Sequence, residues 1–327
     1  MQGKRKKCLL AEGAWGAALI LATGIATALP RESECLVPAK AEGGFDLTCK
    51  LAQGMLAGTS AVRLTYLPGG IGALAYTTIV TKRADDASTL VAFSSGSLLN
   101  LAQGKFGPYT EKDVRWLAVV GTDYGVVAVQ KESPFRSLQD VLKAVKANPQ
   151  KVVFGAGGTI GSQDWFKAVL LARAAGAGHK SIRFVAFEGG GDALSALEGG
   201  HVAVFTGDAA EVTQYLGRRS SVRVIAVLSE QRLPGVLAHV PTAREQGLDL
   251  VWPTARGFYV GPKVSEQAYR EWSEALRKAM SDEGFPRRRA SLGLFPLSLT
   301  GDELQQFVVS SMAEYRRLAA EFELPKR

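Results

Sequence analysis

Four times in 327 residues a short β-branched run gives way to a glycine turn and then to the start of a helical pattern. The first case is Pro38-Ala39-Lys40-Ala41-Glu42-Gly43-Gly44-Phe45-Asp46, followed by an apolar face of Leu47, Leu51 and Met55. The others are Pro68-Gly69-Gly70-Ile71-Gly72, Gly155-Ala156-Gly157-Gly158-Thr159-Ile160-Gly161 and Glu188-Gly189-Gly190-Gly191-Asp192. Each sets unpaired backbone N–H groups and the positive end of a helix dipole at the carboxyl edge of a strand. In an open α/β sheet that edge is where ligands bind, and such amides suit a carboxylate or a phosphate. Glycine also serves simply to make tight turns between strand and helix, so the loops alone leave both readings open.

The rest of the chain agrees with an α/β fold. Residues 62–67, 89–94, 126–130, 151–156, 182–187, 202–207 and 222–227 read as strands, with helical patterns between several of them, which predicts parallel βαβ units. Helix starts are marked by Ser137-Leu138-Gln139-Asp140 and Thr300-Gly301-Asp302-Glu303, both of capping-box form, and by Ser265 ahead of a face of Tyr269, Trp272, Leu276 and Met280. With 46% apolar residues the chain has enough for one large core or two ordinary ones. It has no Pro-rich or low-complexity linker, so two lobes would be joined by extended segments, residues 125–130 outward and 222–260 on the return.

The amino terminus is of another kind. Lys4, Arg5, Lys6 and Lys7 precede a small apolar stretch over residues 13–25, and Ala26-Thr27-Ala28 has the form of a signal-peptidase site. The expectation is cleavage after Ala28 and a periplasmic protein, because the apolar stretch is shorter than the roughly 20 residues of a membrane span. The net charge of +8 is spread along the chain, with only Arg287-Arg288-Arg289 clustered, so no nucleic-acid partner is expected. Cys8 would leave with the signal. Cys35 and Cys49 remain, either as two buried thiols or as a disulfide that clamps the first glycine loop and contributes about 3 kcal/mol.

Catalytic and cofactor signatures are weak. Gly70-Ile71-Gly72-Ala73-Leu74-Ala75 fits a dinucleotide fingerprint formally, but no acidic residue ends a strand about 20 positions on, and no glycine loop closes in Gly-Lys-Ser/Thr. His179, His201 and His239 have no metal-type partner at helical spacing, and no GxSxG elbow occurs. The expectation is therefore no metal, no cofactor and no catalytic set. Asp46, Asp164, Asp192 and Asp208 are predicted to be helix N-caps rather than acid/base pairs. An oxidoreductase or hydrolase built on the same loops is the rival class.

Taken together these motifs resemble the periplasmic substrate-binding proteins of tripartite tricarboxylate transporters, the Bug-type receptors. The first loop is similar to the family's P-x-x-P/K-G-G-G-x-D, with Glu42 in place of its first glycine. Pro68 to Gly72 match P-G-x-x-G, Phe93-Ser94-Ser95-Gly96-Ser97 a small-residue loop, and residues 155–164 the second ligand loop. Val240-Pro241-Thr242-Ala243-Arg244-Glu245-Gln246-Gly247 matches V-P-T-x-x-E-x-G. Phe258-Tyr259-Val260-Gly261-Pro262, Gly121-Thr122-Asp123-Tyr124 and the Cys35/Cys49 pair look most like the citrate and tricarboxylate receptors.

The resemblance implies a two-lobed Venus-flytrap fold of the type II periplasmic-binding class, each lobe a mixed, mostly parallel sheet flanked by helices. On this reading residues 29–128 with 250–327 form the first lobe and 129–249 the second. It implies a monomeric receptor for a di- or tricarboxylate, citrate first, that serves the membrane subunits of a tripartite transporter, with a sensor kinase as the alternative partner. Gly44, Phe45 and Asp46 are expected to hold one carboxylate with Gly158, Thr159, Gly161 and Ser162. Asp208, Ser94 and Ser97 are candidates for a ligand hydroxyl. Arg256 offers a guanidinium fork for a second carboxylate, or else is a surface arginine paired with an acid.

Overall fold

The computed structural model describes residues 29–217 and 221–324; the signal-peptide expectation falls on residues 1–28, outside them. The chain runs β1 (Glu32–Val37), α1 (Gly44–Leu56), β2 (Ala61–Tyr66), α2 (Ala73–Lys82), β3 (Thr89–Ser94), α3 (Ser95–Ala102) and the long β4 (Arg115–Gln130). It continues through α4 (Leu138–Ala147), β5 (Val153–Gly157), α5 (Gln163–Ala174), β6 (Arg183–Phe187), α6 (Gly190–Glu198), β7 (Val204–Phe205), α7 (Ala209–Leu216) and β8 (Val222–Leu228). It ends with β9 (Pro253–Val260), α8 (Glu266–Met280), α9 (Phe285–Ser291) and α10 (Gly301–Glu321).

Two lobes share β4. In the first, β1 lies parallel to β2 and β3, and β9 runs antiparallel between β3 and β4. In the second, β5 is parallel to β6 and β7, and β4 is antiparallel to β7 and β8. Tyr124 is the last β4 residue paired with β9, and Gly125 the first paired with β8, so one strand passes from sheet to sheet without a linker. The return path is pinned by Val240 to Gly247. Thr242 N donates to Glu245 Oε2 (2.7 Å), Glu245 N donates to Thr242 Oγ1 (3.0 Å), and Val227 N donates to Pro241 O (3.1 Å).

Helices cover both faces of each sheet, as a sheet buried on two sides requires. In the first lobe Cys35, Leu51, Trp272 and Phe285 pack on one face, and Tyr76, Phe93, Trp116 and Val308 on the other. The second lobe has Val127, Leu138 and Phe154 on one face, with Val126, Phe205 and Leu237 on the other. A smaller cluster of Leu99, Trp165, Phe166 and Phe322 carries the end of α10 onto α5 of the opposite lobe.

Local signals explain several starts. Ser137 caps α4 reciprocally with Asp140, and the Ser265 hydroxyl accepts from Ala268 N at the start of α8. Thr300 holds the N-cap position of α10, although its side chain makes no capping bond there. Cys35 and Cys49 are disulfide-bonded with Cα atoms 5.6 Å apart, which ties the first glycine loop to β1.

Candidate functional site

The carboxyl ends of β1, β5 and β6 converge where the lobes meet, and their three glycine loops line one cavity. It is bounded by Gly43, Gly44 and Phe45 of the first loop, Gly157, Ser162 and Asp164 of the third, and Glu188, Gly189 and Gly190 of the fourth. Ile71 is the one lining residue from the second loop; Ser94, Asn100, Asp208, Glu211 and Arg256 are among the other residues of the wall. The cavity measures about 50 Å³, room for a few waters and far below the roughly 300 Å³ at which small-molecule sites begin. The space is small because side chains of the two lobes fill it with one another.

Arg256 lies at the centre. It is carried by β9, opposite Ser94 on β3 and Gly121 on β4, and is only 3% exposed. Nη2 donates to Asp208 Oδ2 (2.7 Å) and Asp123 Oδ2 (3.2 Å). The guanidinium rests on Gly44: a Cβ there would stand 2.1 Å from both Nη1 and Nη2. Arg256 is therefore neither a surface residue nor an idle fork, since two buried acids already hold it.

Asp208, at the N-cap position of α7, also accepts from Lys167 Nζ (2.6 Å) and Gln163 Nε2 (2.9 Å). Lys167, wholly buried on α5, reaches Gly207 O (2.8 Å) and lies 2.7 Å from Asp164 Oδ1. Burial opposes ionisation of Asp208, but Lys167 and Arg256 outweigh it and hold this carboxyl below its usual range. The neighbouring acids go the other way. Burial, reinforced by the charge of Asp208, pushes Asp123 up to about 7 and Glu211 up to about 8, and burial raises Asp164 to about 6 against the pull of Lys167.

Glu211 occupies the place the first-loop amides were expected to keep for a ligand. Its Oε1 accepts from Gly44 N at 2.9 Å, and Oε2 lies 3.5 Å from Asp208 N. The glycines make this approach possible, because a Cβ on Gly190 would stand 2.2 Å from Oε2. In this closed state a carboxyl group of the chain itself sits on the Gly44 amide.

Of the expected site residues, Gly44, Phe45, Ser94, Ser162, Asp208 and Arg256 line the cavity, and Asp46, Ser97, Gly158, Thr159 and Gly161 do not. Asp46 is buried in the first turn of α1, where it accepts from Glu42 N (2.9 Å), Lys50 Nζ (2.8 Å) and Tyr66 OH (2.9 Å). Ser97 Oγ accepts from Ser94 N (3.2 Å), locking the start of α3. Gly158 N donates to Phe187 O (2.8 Å), Gly161 O accepts from Gln103 Nε2 (2.7 Å), Thr159 is exposed, and Ser162 caps α5.

The expectation that four aspartates are N-caps holds in position for Asp208 alone. Gly43, Ser162 and Gly189 take the other three N-cap positions, with Asp46, Asp164 and Asp192 in the first turn. There they still meet the helix dipole, and Asp46 also accepts from the Glu42 amide. Glu42, where the family motif has glycine, adopts φ = 66°, the left-handed conformation that favours glycine. It is exposed, while Lys40 reaches across the lobes to Asp192 (2.8 Å).

Sequence reading passed over Asp123, Lys167 and Glu211 as site residues. A signal existed for two of them. Asp208-Ala209-Ala210-Glu211 has capping-box spacing, and Asp164 with Lys167 is an i, i+3 ion pair on one helix.

A two-lobed α/β protein with glycine loops from both lobes closing on a polar interlobe cavity is a solute-binding protein of the periplasmic-binding class. Residues 60–324 match the model of the tripartite tricarboxylate transporter family receptor, and the chain belongs to that family. It is a receptor, not an enzyme. A protein of Cupriavidus necator, described as the UPF0065 protein in the gbd 5' region, is 22% identical over 67% of this chain and 67% of its own length. Among solved structures, a Rhodopseudomonas palustris protein with adipate has a TM-score of 0.79 at 17% identity, covering 90% of this chain and 99% of that one. MatC of Rhodopseudomonas palustris with bound malate has a TM-score of 0.74 at 21% identity, covering 88% and 99%. At these identities the two structures speak for the fold.

Proposed function

We propose that the chain is an exported, periplasmic receptor for a small organic acid. It closes on the acid between its lobes and delivers it to the membrane subunits of a tripartite tricarboxylate transporter; a sensor kinase is the alternative recipient. The observation that carries this reading is the interlobe cavity itself, where first-loop amides and the guanidinium of Arg256 converge beside glycine loops of the other lobe. The Gly44 amide already donates to a carboxyl oxygen, that of Glu211, so a ligand carboxylate that displaces it meets compatible geometry. Two structural neighbours were solved with adipate and malate, which supports the solute class.

Family resemblance puts di- and tricarboxylates first, with citrate as the leading single candidate. The charge of the cleft favours the smaller members, because a third carboxylate would enter a region already holding Asp123, Asp164, Asp208 and Glu211 against Lys167 and Arg256. Melting temperature of the mature protein, followed against citrate, isocitrate, tricarballylate, succinate, malate and glutamate, tests the reading. At least one acid is expected to stabilise by a saturable increment. A protein indifferent to all of them is not a carboxylate receptor.

A further inference from the structure

The cleft holds more acid than its bases neutralise. Lys167 and Arg256 are both engaged by Asp208; Asp123 shares Arg256, and Asp164 shares Lys167. Glu211, 8% exposed, is bonded among the described residues only to backbone amides, those of Gly44 and, more distantly, Asp208. Charge alone does not define what enters, since an acid group can remain protonated. A second and independent feature does.

Leaving aside Asp164 Oδ1, which Lys167 Nζ faces at 2.7 Å, two buried polar atoms of cavity-wall residues have no hydrogen-bond partner among the described residues, and they are of opposite kinds. Asn100 Oδ1, on a residue 3% exposed, is an acceptor without a donor; Arg256 Nε, on a residue also 3% exposed, is a donor without an acceptor. Leaving such groups unmade is costly, and a ligand that supplies both complements recovers that cost. A carboxylate satisfies Arg256 Nε. Asn100 Oδ1 needs an N–H or O–H group, and the excess of acid at Glu211 and Asp164 selects a charged donor over a hydroxyl.

We propose that the solute is an aminocarboxylate, its carboxylate held by Arg256 and the Gly44 amide and its ammonium group facing Asn100, Asp164 and Glu211. The ligand carboxylate takes the place of Glu211 on Gly44 N, and the released Glu211 turns to the ammonium. This assignment rests on the carboxylate-receptor reading and narrows it. Because burial keeps the Glu211 acid protonated up to about pH 8, ionisation on pairing with the ammonium releases a proton to solvent at neutral pH.

Titration calorimetry on matched solutes decides the matter: aspartate, malate and succinate; glutamate and glutarate; β-alanine and propionate; 4-aminobutyrate and butyrate. In at least one set the amino member is expected to bind about tenfold or more tighter than its hydroxy or unsubstituted partners. Its heat should vary with the ionisation enthalpy of the buffer in the sense of proton release. Glu211→Gln, nearly isosteric, should remove most of that preference and the buffer dependence while still melting cooperatively. If Glu211→Gln does not fold, Asp164→Asn is expected to weaken the preference for the amino member, with proton release at Glu211 retained.

Equal affinity for amino, hydroxy and plain acids in the wild type overturns the assignment and leaves the carboxylate reading standing. Preference that survives unchanged in both variants overturns it as well. Failure of every acid, amino or plain, takes down the carboxylate reading itself.

Discussion

The two walls of the cleft are built from the same local device and end with opposite chemistry. On the first-lobe wall the glycine loop after β1 presents amides, and Arg256 lies over Gly44. On the second-lobe wall the loops after β5 and β6 stand beside Asp164, Asp208 and Glu211, with Lys167 behind them. One wall is mainly donor, the other mainly acid. In the closed state they satisfy each other through Gly44 N to Glu211, Arg256 to Asp208 and, at the rim, Lys40 to Asp192. A glycine loop at a strand end is thus a scaffold whose preference is set by side chains from elsewhere in the chain. A ligand competes with contacts that already hold the lobes together.

The sharpest way to break this complementarity is Arg256→Ala. It strips a buried cation from Asp123 and Asp208, and removing one partner of a buried ion pair costs about 3–5 kcal/mol. Chemical denaturation of the ligand-free variant is expected to show a loss of that order, together with lost response to acids. This differs from what a surface arginine would give, which is an unchanged melting point. Stability equal to wild type would mean that the acids of the two walls do not depend on Arg256.

Opening the disulfide probes the first wall alone. Cys49→Ser frees a 14-residue separation and is expected to cost about 3 kcal/mol, measured by denaturation under oxidising conditions. The buried acids of the cleft, Asp123 of the first lobe with Asp164 and Glu211 of the second, are probed by pH. Asp123, Asp164 and Glu211 have folded pKa values raised by burial to about 7, 6 and 8, so between their unfolded values and these the native state binds more protons than the unfolded state. Their contribution is complete below the unfolded values and is lost as pH rises through about 6 to 8. Asp86, held down to about 2, and Asp208 act oppositely and lose their contribution only in strong acid. The ligand-free melting temperature is therefore expected to fall by several degrees from about pH 5 to about pH 8.5, with a shallower slope in Glu211→Gln. A melting point that rises over this interval would show that the buried acids of the cleft are ionised and well paired in the folded protein.

Much of the fold was legible because its signals are local. Residues 89–94 form a strand over that same span, Ser137 caps its helix, and each glycine turn stands at the end of a strand. Residues 115–125 were not read as strand: RWLAVVG is nearly all buried, so no alternation marks it, and only its continuation over 126–130 was predicted. The strand over 202–207 shrinks to Val204–Phe205, and the Gly207 carbonyl beyond it accepts from Val126 N (3.0 Å) and Lys167 Nζ (2.8 Å). Arg256 and Asp208 were singled out for the site as separate residues. That they bind each other, with Glu211 seated on Gly44 from 167 positions away, is a product of lobe packing that no local pattern encodes.

The central claim is that an organic acid binds between these walls in place of their own contacts. A crystal structure of the mature protein with its best-stabilising acid tests it directly. The expected result is a ligand carboxylate on Gly44 N and Arg256, with Glu211 displaced from that amide. An acid bound elsewhere, with Glu211 still seated on Gly44 and the lobes closed as they are here, would contradict it.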